Sequence, residues 1–382
     1  MKILLIGEYS RLHNSLKEGL VALGHTVTLA GLGDYFKNYP LDYSLESKIC
    51  SKNGLFWFFN KAFAKLNIVS LEKWERAIRF YFFIKNIQSF DYVQLINSDA
   101  LELYPIHSRF LYKKLFEKIK TRTLLVCGDE PPVVKFWLKE TQKYSVLTQY
   151  LADKTLKKEF HFSLKYSKKS YQKTFDFLQK NCQHIVATDY DYVLALKGQN
   201  IAHYFIPNPI NTDILTYQEP KFDRKICIFL GINSGSYLKK GINFFEDALT
   251  HLQLKYPDTF EVIIAQNMPY QNYIKHYNRA HILFDQVLSY DQGYNALEAM
   301  AQGKVVFTGA EKEFLNHFNL QEDEVAINAL DDLDYMLDKL SFLLENPSKI
   351  IEISQNARNF IEKEHNYIKI AQKYIEIFEP KN

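Results

Sequence analysis

Apolar and polar positions along this chain switch between two periods. Lys2-Ile3-Leu4-Leu5-Ile6-Gly7 is a short apolar run closed by glycine, the pattern of a buried parallel strand. Leu12, Leu16, Leu20 and Leu23 then recur at helical spacing up to Gly24, and Thr26-Val27-Thr28-Leu29-Ala30 reads as the next strand. This succession predicts a βαβ unit that opens a doubly wound sheet. Further strands are predicted at 92–96, 123–127, 184–188 and 202–206.

Pro207-Asn208-Pro209 breaks the pattern, and a polar, proline-bounded stretch runs on to about Arg224. A second series then begins with Ile226-Cys227-Ile228-Phe229-Leu230-Gly231. It predicts a helix over 242–254, strands at 261–265 and 282–284, a helix after Gly293 and a strand at 305–307. Three helical stretches follow, at 330–344, 348–363 and 366–378. The expectation is α/β throughout, with two Rossmann-like halves: residues 1–207, residues 208–365, and a last helix over 366–382 that packs back on the first half. A chain of 382 residues is long enough for two cores.

Composition narrows the function classes. A net charge of +3 carries no nucleic-acid signature, so no nucleic-acid partner is expected. Cys50, Cys127, Cys182 and Cys227 are scattered without metal-ligand spacing and read as free buried thiols of a reducing compartment. Met1 to Gly7 reads as strand, with no basic region leading into a signal-type core, and no apolar run has the length of a membrane span. A cytoplasmic location is expected. Aromatic content is high at 15%. Residues 55–85 mix Phe56, Trp57, Phe58, Phe59, Phe63, Trp74, Phe80, Tyr81, Phe82 and Phe83 with Lys and Arg, and residues 154–180 carry eight lysines from Lys154 to Lys180. Each region admits two readings: a cationic, amphipathic surface for anionic lipid headgroups, or a helical insertion covering a sheet face with solvated lysines.

The candidate chemistry sits at strand ends. Gly293-Tyr294-Asn295-Ala296-Leu297-Glu298 starts a helix that is otherwise small and apolar, so the Glu298 carboxylate should be largely buried and needs a partner. The free N–H groups and positive dipole end of such a helix suit phosphate or sugar hydroxyls. Gly231, Ile232, Asn233, Ser234, Gly235 and Ser236 lead to Lys239-Lys240-Gly241, and small polar residues before a lysine can cradle phosphate. In the first half, Gly7-Glu8-Tyr9-Ser10-Arg11-Leu12-His13-Asn14 is the first strand-to-helix loop, and it lacks a GxGxxG fingerprint. His13 and Arg11 there either meet a ligand or are solvated. Cys127-Gly128-Asp129-Glu130-Pro131 ends another strand at the same sheet edge.

Together these stretches resemble the retaining, nucleotide-sugar-dependent glycosyltransferases of GT-B fold, of the large bacterial "glycosyl transferases group 1" type. Ile206-Pro207-Asn208-Pro209-Ile210-Asn211 resembles that family's interdomain motif, Phe229-Leu230-Gly231 with Lys240-Gly241 its phosphate loop, the Glu298 stretch its ribose-binding helix, and Asn356-Ala357-Arg358 its C-terminal end.

The resemblance implies two facing domains, with donor on the second and acceptor on the first. It implies a UDP- or GDP-sugar as substrate, no cofactor, no metal, and a glycan or lipid-linked acceptor in cell-surface polysaccharide synthesis. Donor contacts are expected from Gly231, Asn233, Ser234, Lys240, Asp285, Gln286, Tyr290, Gln292, Gly293, Tyr294, Asn295 and Glu298, and catalytic contacts from Asp129, Glu130 and His13. Tyr290 stands where the family usually carries a second Glu, and Ile232 where it often carries Arg. Asp189-Tyr190-Asp191 spells a DxD that is read as no metal site, and Asp331-Asp332-Leu333-Asp334 as a helix start. An epimerase of similar fold and a non-catalytic binding subunit are the rival readings. An anionic membrane surface at the inner face of the plasma membrane is a further expected partner.

Overall fold

The computed structural model describes residues 1–34, 37–51, 70–222, 225–266, 268 and 270–378, without the side chains at 270 and 271. The chain forms two parallel sheets. The first holds β1 (Lys2–Ile6), β2 (Thr26–Gly31), β3 (Tyr43–Ser44), β4 (Tyr92–Leu95), β5 (Thr121–Val126), β6 (His184–Ala187) and β7 (Tyr204–Phe205). Their order is β3-β2-β1-β4-β5-β6-β7. The second holds β8 (Ile226–Ile232), β9 (Phe260–Gln266), β10 (Ile282–Phe284), β11 (Val305–Thr308) and β12 (Ile327–Asn328), in the order β12-β11-β10-β8-β9. Every pairing between these strands is parallel. This requires helical crossovers that cover both faces, which is why β1 and β8 are apolar almost throughout.

The long apolar-periodic elements fall where the pattern predicts them. The helix Leu12–Ala22 buries Leu12, Leu16 and Leu20, and the helix Ile242–Lys255 buries Ile242, Phe245, Leu249 and Leu252. Several pieces went unpredicted, among them β3, β12 and the helices Pro105–Lys118, Pro131–Trp137, Tyr190–Lys197, Tyr270–Arg279 and Lys312–Phe318. Most of them are short or strongly polar, so neither period shows clearly in them.

The last helix, Tyr367–Phe378, crosses back to the first sheet. Gly19 lets it approach the helix Leu12–Ala22 so closely that a Cβ there would lie 2.3 Å from the Tyr367 carbonyl oxygen. At its far end Phe378 stacks on Tyr92 of β4. The chain between the sheets is anchored too. Ile210 bridges to Asn366, and Arg358 donates to the carbonyls of Leu215 (2.6 Å) and Ala301 (2.7 Å).

Part of the aromatic region, residues 52–69, lies outside the described residues. The remainder forms the helix Leu71–Asn86, whose Ala77, Phe80, Phe83 and Ile84 are buried. Trp74, Ile78, Tyr81 and Phe82 face outward. One face of this helix therefore covers the first domain, as the insertion reading expects, and the other exposes aromatic side chains. In the lysine-rich region Lys154, Lys157, Lys158, Lys168, Lys169, Lys173 and Lys180 are exposed. Lys165 is the exception: its ammonium lies 3.0 Å from the buried Asp99 carboxylate. Among the described residues no helix is long and apolar enough to cross a membrane. All four cysteines are free thiols.

Candidate active site between the two sheets

The carboxyl ends of the two sheets face each other, and the loops that leave them carry the polar side chains. After β1 the chain turns at Gly7, whose φ of +89° and close approach to Ile96 (2.5 Å from an added Cβ) leave room only for glycine. Ser10 and Arg11 also take positive φ, so the turn is tight enough to start the helix Leu12–Ala22 at once. Arg11 is held by Glu18 (2.8 Å) and Ser15 (2.8 Å). After β8, Asn233 caps the turn Ser234–Ser236 by accepting from the Gly235 amide at 3.0 Å. Gly241, at φ +67°, then admits the helix Ile242–Lys255 against Val287.

Glu298 lies in the second turn of the helix Tyr294–Ala301, half-buried and facing Arg11 and Lys37 of the first domain. Burial pushes its pKa up to about 7, against the pull of those two cations. Among the described residues nothing hydrogen-bonds its carboxylate. Tyr294, one turn before it, shares a 2.6 Å hydrogen bond with Ser15 and donates to the Pro209 carbonyl at 2.7 Å. The expected donor residues around it are brought together. Lys240 Nζ lies 2.8 Å from Asp285, which also accepts from Asn295 and Thr308, each at 3.3 Å. Gln286 and Gly293 adjoin the same carboxylate, and Gly231 faces the Tyr273 hydroxyl. Gln292 donates to the Gly309 carbonyl, while its Oε1 is buried and unpartnered among the described residues.

Other expected residues are placed elsewhere. His13 is fully buried, with Nδ1 2.7 Å from the Gly7 carbonyl and Nε2 3.2 Å from the Gln94 amide. Burial lowers its pKa to about 3, so it is a neutral ring that holds the β1 loop and cannot reach the cleft. Glu130 is also fully buried and accepts from the Ser98 amide and hydroxyl. Burial raises its pKa to about 8, and its bonds make it a structural group of the first domain. Neither is positioned as a catalytic contact. Both are cases where a polar residue at a strand end turns inward to satisfy backbone polarity.

Asp129 does face the second domain, but toward Lys239 at 2.7 Å, with Ser163 donating from the other side at 2.7 Å. Lys239 thus bridges the domains while Lys240 stays within the second. Tyr290 fills the domain interface. It is buried, its hydroxyl accepts from the Lys143 amide at 3.1 Å, and its ring packs on Tyr144 at 5.3 Å. It is a packing residue in this arrangement and does not line the site as a donor contact.

The DxD segment has the same kind of role. Asp189 caps the helix Tyr190–Lys197, and Asp191 accepts from Ser289 Oγ (2.6 Å) and the Tyr290 amide (3.1 Å). Asp332 caps the helix Leu333–Glu345, as expected. Sequence reasoning missed Lys37 and Tyr39, which follow β2. Their position after a predicted strand at the ligand edge was the available signal.

Residues 241–376 match the family described as "Glycosyl transferase-like". No curated protein matches the chain in sequence. Solved structures with a similar fold include sucrose-phosphate synthase from Thermosynechococcus elongatus, at 15% identity and a TM-score of 0.59, covering 99% of this chain and 98% of that one. Another is HepE of Anabaena in complex with UDP and glucose, at 11% identity and a TM-score of 0.59, covering 99% of each. A third is UDP-GlcNAc 2-epimerase from Neisseria meningitidis bound to UDP-GlcNAc, at 13% identity and a TM-score of 0.51, covering 98% and 99%. With its two facing parallel sheets the chain has the GT-B fold, and its residues 241–376 are similar to the glycosyl transferase-like family.

Proposed function

We propose that the chain transfers a hexosyl group from a UDP- or GDP-sugar to a glycan or lipid-linked acceptor, with retention of configuration, in cell-surface polysaccharide synthesis. The observation that carries this is Glu298. A half-buried carboxylate with no protein hydrogen bond among the described residues, flanked by Arg11 and Lys37, offers two acceptor oxygens to a vicinal diol such as a ribose. Lys240 shares Asp285 with Asn295, three residues before Glu298, and it takes the diphosphate together with the Asn233–Ser236 turn that leads to it. The lysine charge and the polar side chains of the turn stabilise the leaving nucleotide electrostatically. No metal or cofactor is part of this reading.

The bound ligands of two similar folds are in keeping with it: HepE with UDP and glucose, and the epimerase with UDP-GlcNAc. The epimerase fold is also what favours a second reading, in which the donor alone is converted. Calorimetry with UDP and GDP, followed by mass spectrometry of donor with and without a glycan acceptor, separates the two. A new glycoside supports transfer, and a sugar isomer formed without acceptor supports epimerisation.

The site of action in this proposal is the cytoplasmic face of the membrane. The outward Trp74, Ile78, Tyr81 and Phe82, together with the exposed lysines of 154–180, would meet anionic headgroups there.

A further inference from the structure

Beside the β1 loop, at the ligand edge of the first sheet, lies a cavity of about 130 Å³ lined in part by Glu8, Tyr9, Asp34, Glu46, Arg76 and Glu102. One water needs roughly 10–15 Å³ on this measure, so there is room for about ten waters, or one sugar ring. Four of these six residues are acids. Among the described residues Arg76 lies 3.2 Å from Glu102, with its Nε buried and unpartnered, and Lys37 lies 3.1 Å from Asp34. Glu46 accepts from the Gly33 amide at 3.0 Å.

Glu8 is only 1% exposed. Its Oε2 accepts from the Asn14 amide (2.8 Å) and side chain (2.6 Å), while its Oε1 is buried and unpartnered among the described residues. A buried polar atom without a partner costs about 1–3 kcal/mol, which a ligand hydroxyl would recover. Burial first, and then the charges of Glu298, Asp34 and Glu8, push the Tyr39 phenol upward, so one tyrosine feels both sites.

We propose that this cavity receives the terminal sugar of the acceptor as an uncharged ring, one ring hydroxyl hydrogen-bonded to Glu8 Oε1, and that it discriminates against phosphate, sulfate or carboxylate at that end. The proposal rests on the glycosyltransferase reading and names its acceptor class. Hydroxyls are donors that match a cavity rich in acceptor oxygens. An added anion would be brought into a small space where, among the described lining residues, acids outnumber cations and Arg76 already faces Glu102.

The test uses the full chain, with UDP binding measured first by calorimetry. Methyl glycosides of common hexoses and the corresponding hexose 6-phosphates are then titrated in the presence of UDP, with binding read by saturation-transfer NMR. The expected result is saturable binding of at least one neutral glycoside, at least tenfold tighter than its phosphate. Glu8→Leu should weaken the glycoside at least tenfold while UDP affinity changes less than twofold. Glu46→Gln, at a half-buried position, should narrow the preference over phosphate at least threefold, and it decides the matter if Glu8→Leu does not fold. Equal or tighter binding of the phosphates overturns the proposal. So does the absence of glycoside binding, or a folded Glu8→Leu with unchanged affinity. If UDP fails to bind, the donor reading has failed, and the glycoside titration without nucleotide still decides the cavity.

Discussion

Ser15 Oγ and Tyr294 Oη lie 2.6 Å apart and join the first helix of one domain to the donor helix of the other. Because Tyr294 precedes Glu298 by one helical turn on the same face, this bond fixes where the Glu298 carboxylate stands relative to Arg11. In the proposed donor site, Glu298 of the second domain is therefore oriented by the first.

Replacing Glu298 by Gln removes a charged acceptor at a half-buried position. Nucleoside diphosphate affinity is expected to fall by about 1.5–3 kcal/mol, the range for a hydrogen bond to a charged group. Calorimetry on the folded variant checks this, and unchanged affinity would remove Glu298 from the site.

The same residue gives a pH dependence. Its folded pKa, raised to about 7 by burial, leaves it mostly neutral at pH 6 and mostly charged at pH 8. Affinity for the free nucleoside, which avoids the titration of the phosphates, should rise with pH across that interval and be flat in Glu298→Gln. Stability runs the other way. A carboxyl whose folded pKa lies above its unfolded value stabilises the fold below that unfolded value and loses this contribution as pH rises through about 7. Chemical denaturation of wild type and Glu298→Gln at both pH values measures the difference.

Lys240→Ala should weaken binding of nucleoside diphosphate far more than that of nucleoside, by about 1.5–3 kcal/mol for a lost charged contact. Asp285 now holds the ammonium at 2.8 Å, so the variant also leaves a fully buried carboxylate without its cation and should lower Tm. An equal loss for both ligands would point to the fold and not to phosphate.

Tyr290→Phe removes only the hydroxyl that accepts from the Lys143 amide and is expected to cost about 1 kcal/mol of stability. Tyr290→Ala, which also empties the contact with Tyr144, should cost about 3–5 kcal/mol. Nucleotide affinity should stay within twofold in Tyr290→Phe. A tenfold loss there would return Tyr290 to the donor site.

Reversing the charge of Lys157, Lys158, Lys168 and Lys169 should abolish sedimentation with anionic vesicles at low salt, each lysine contributing about 1 kcal/mol near such a surface. Binding that survives the reversal would assign the contact to the Trp74 face alone.

The sequence by itself determined the two α/β series, because strands buried on both faces and amphipathic crossover helices leave strong periods. Lys2–Ile6 and Ile282–Phe284 stand within a residue of where the pattern puts them. It also determined the sheet edges from which the site is built, since glycines and polar residues at strand ends mark the ligand edge. What it left open was the direction in which each polar side chain turns.

His13, Glu130 and Tyr290 all sit at such edges, yet each turns into the protein to satisfy a neighbour: the Gly7 carbonyl, the Ser98 amide and the Lys143 amide. Those partners are 6, 32 and 147 positions away in sequence. The packing of two domains chooses them, and no local period records it. The same holds for Lys239 and Lys240, adjacent in sequence. One reaches Asp129 across the interface and the other Asp285 within its own domain. Only the tertiary arrangement sets where each opposite charge waits.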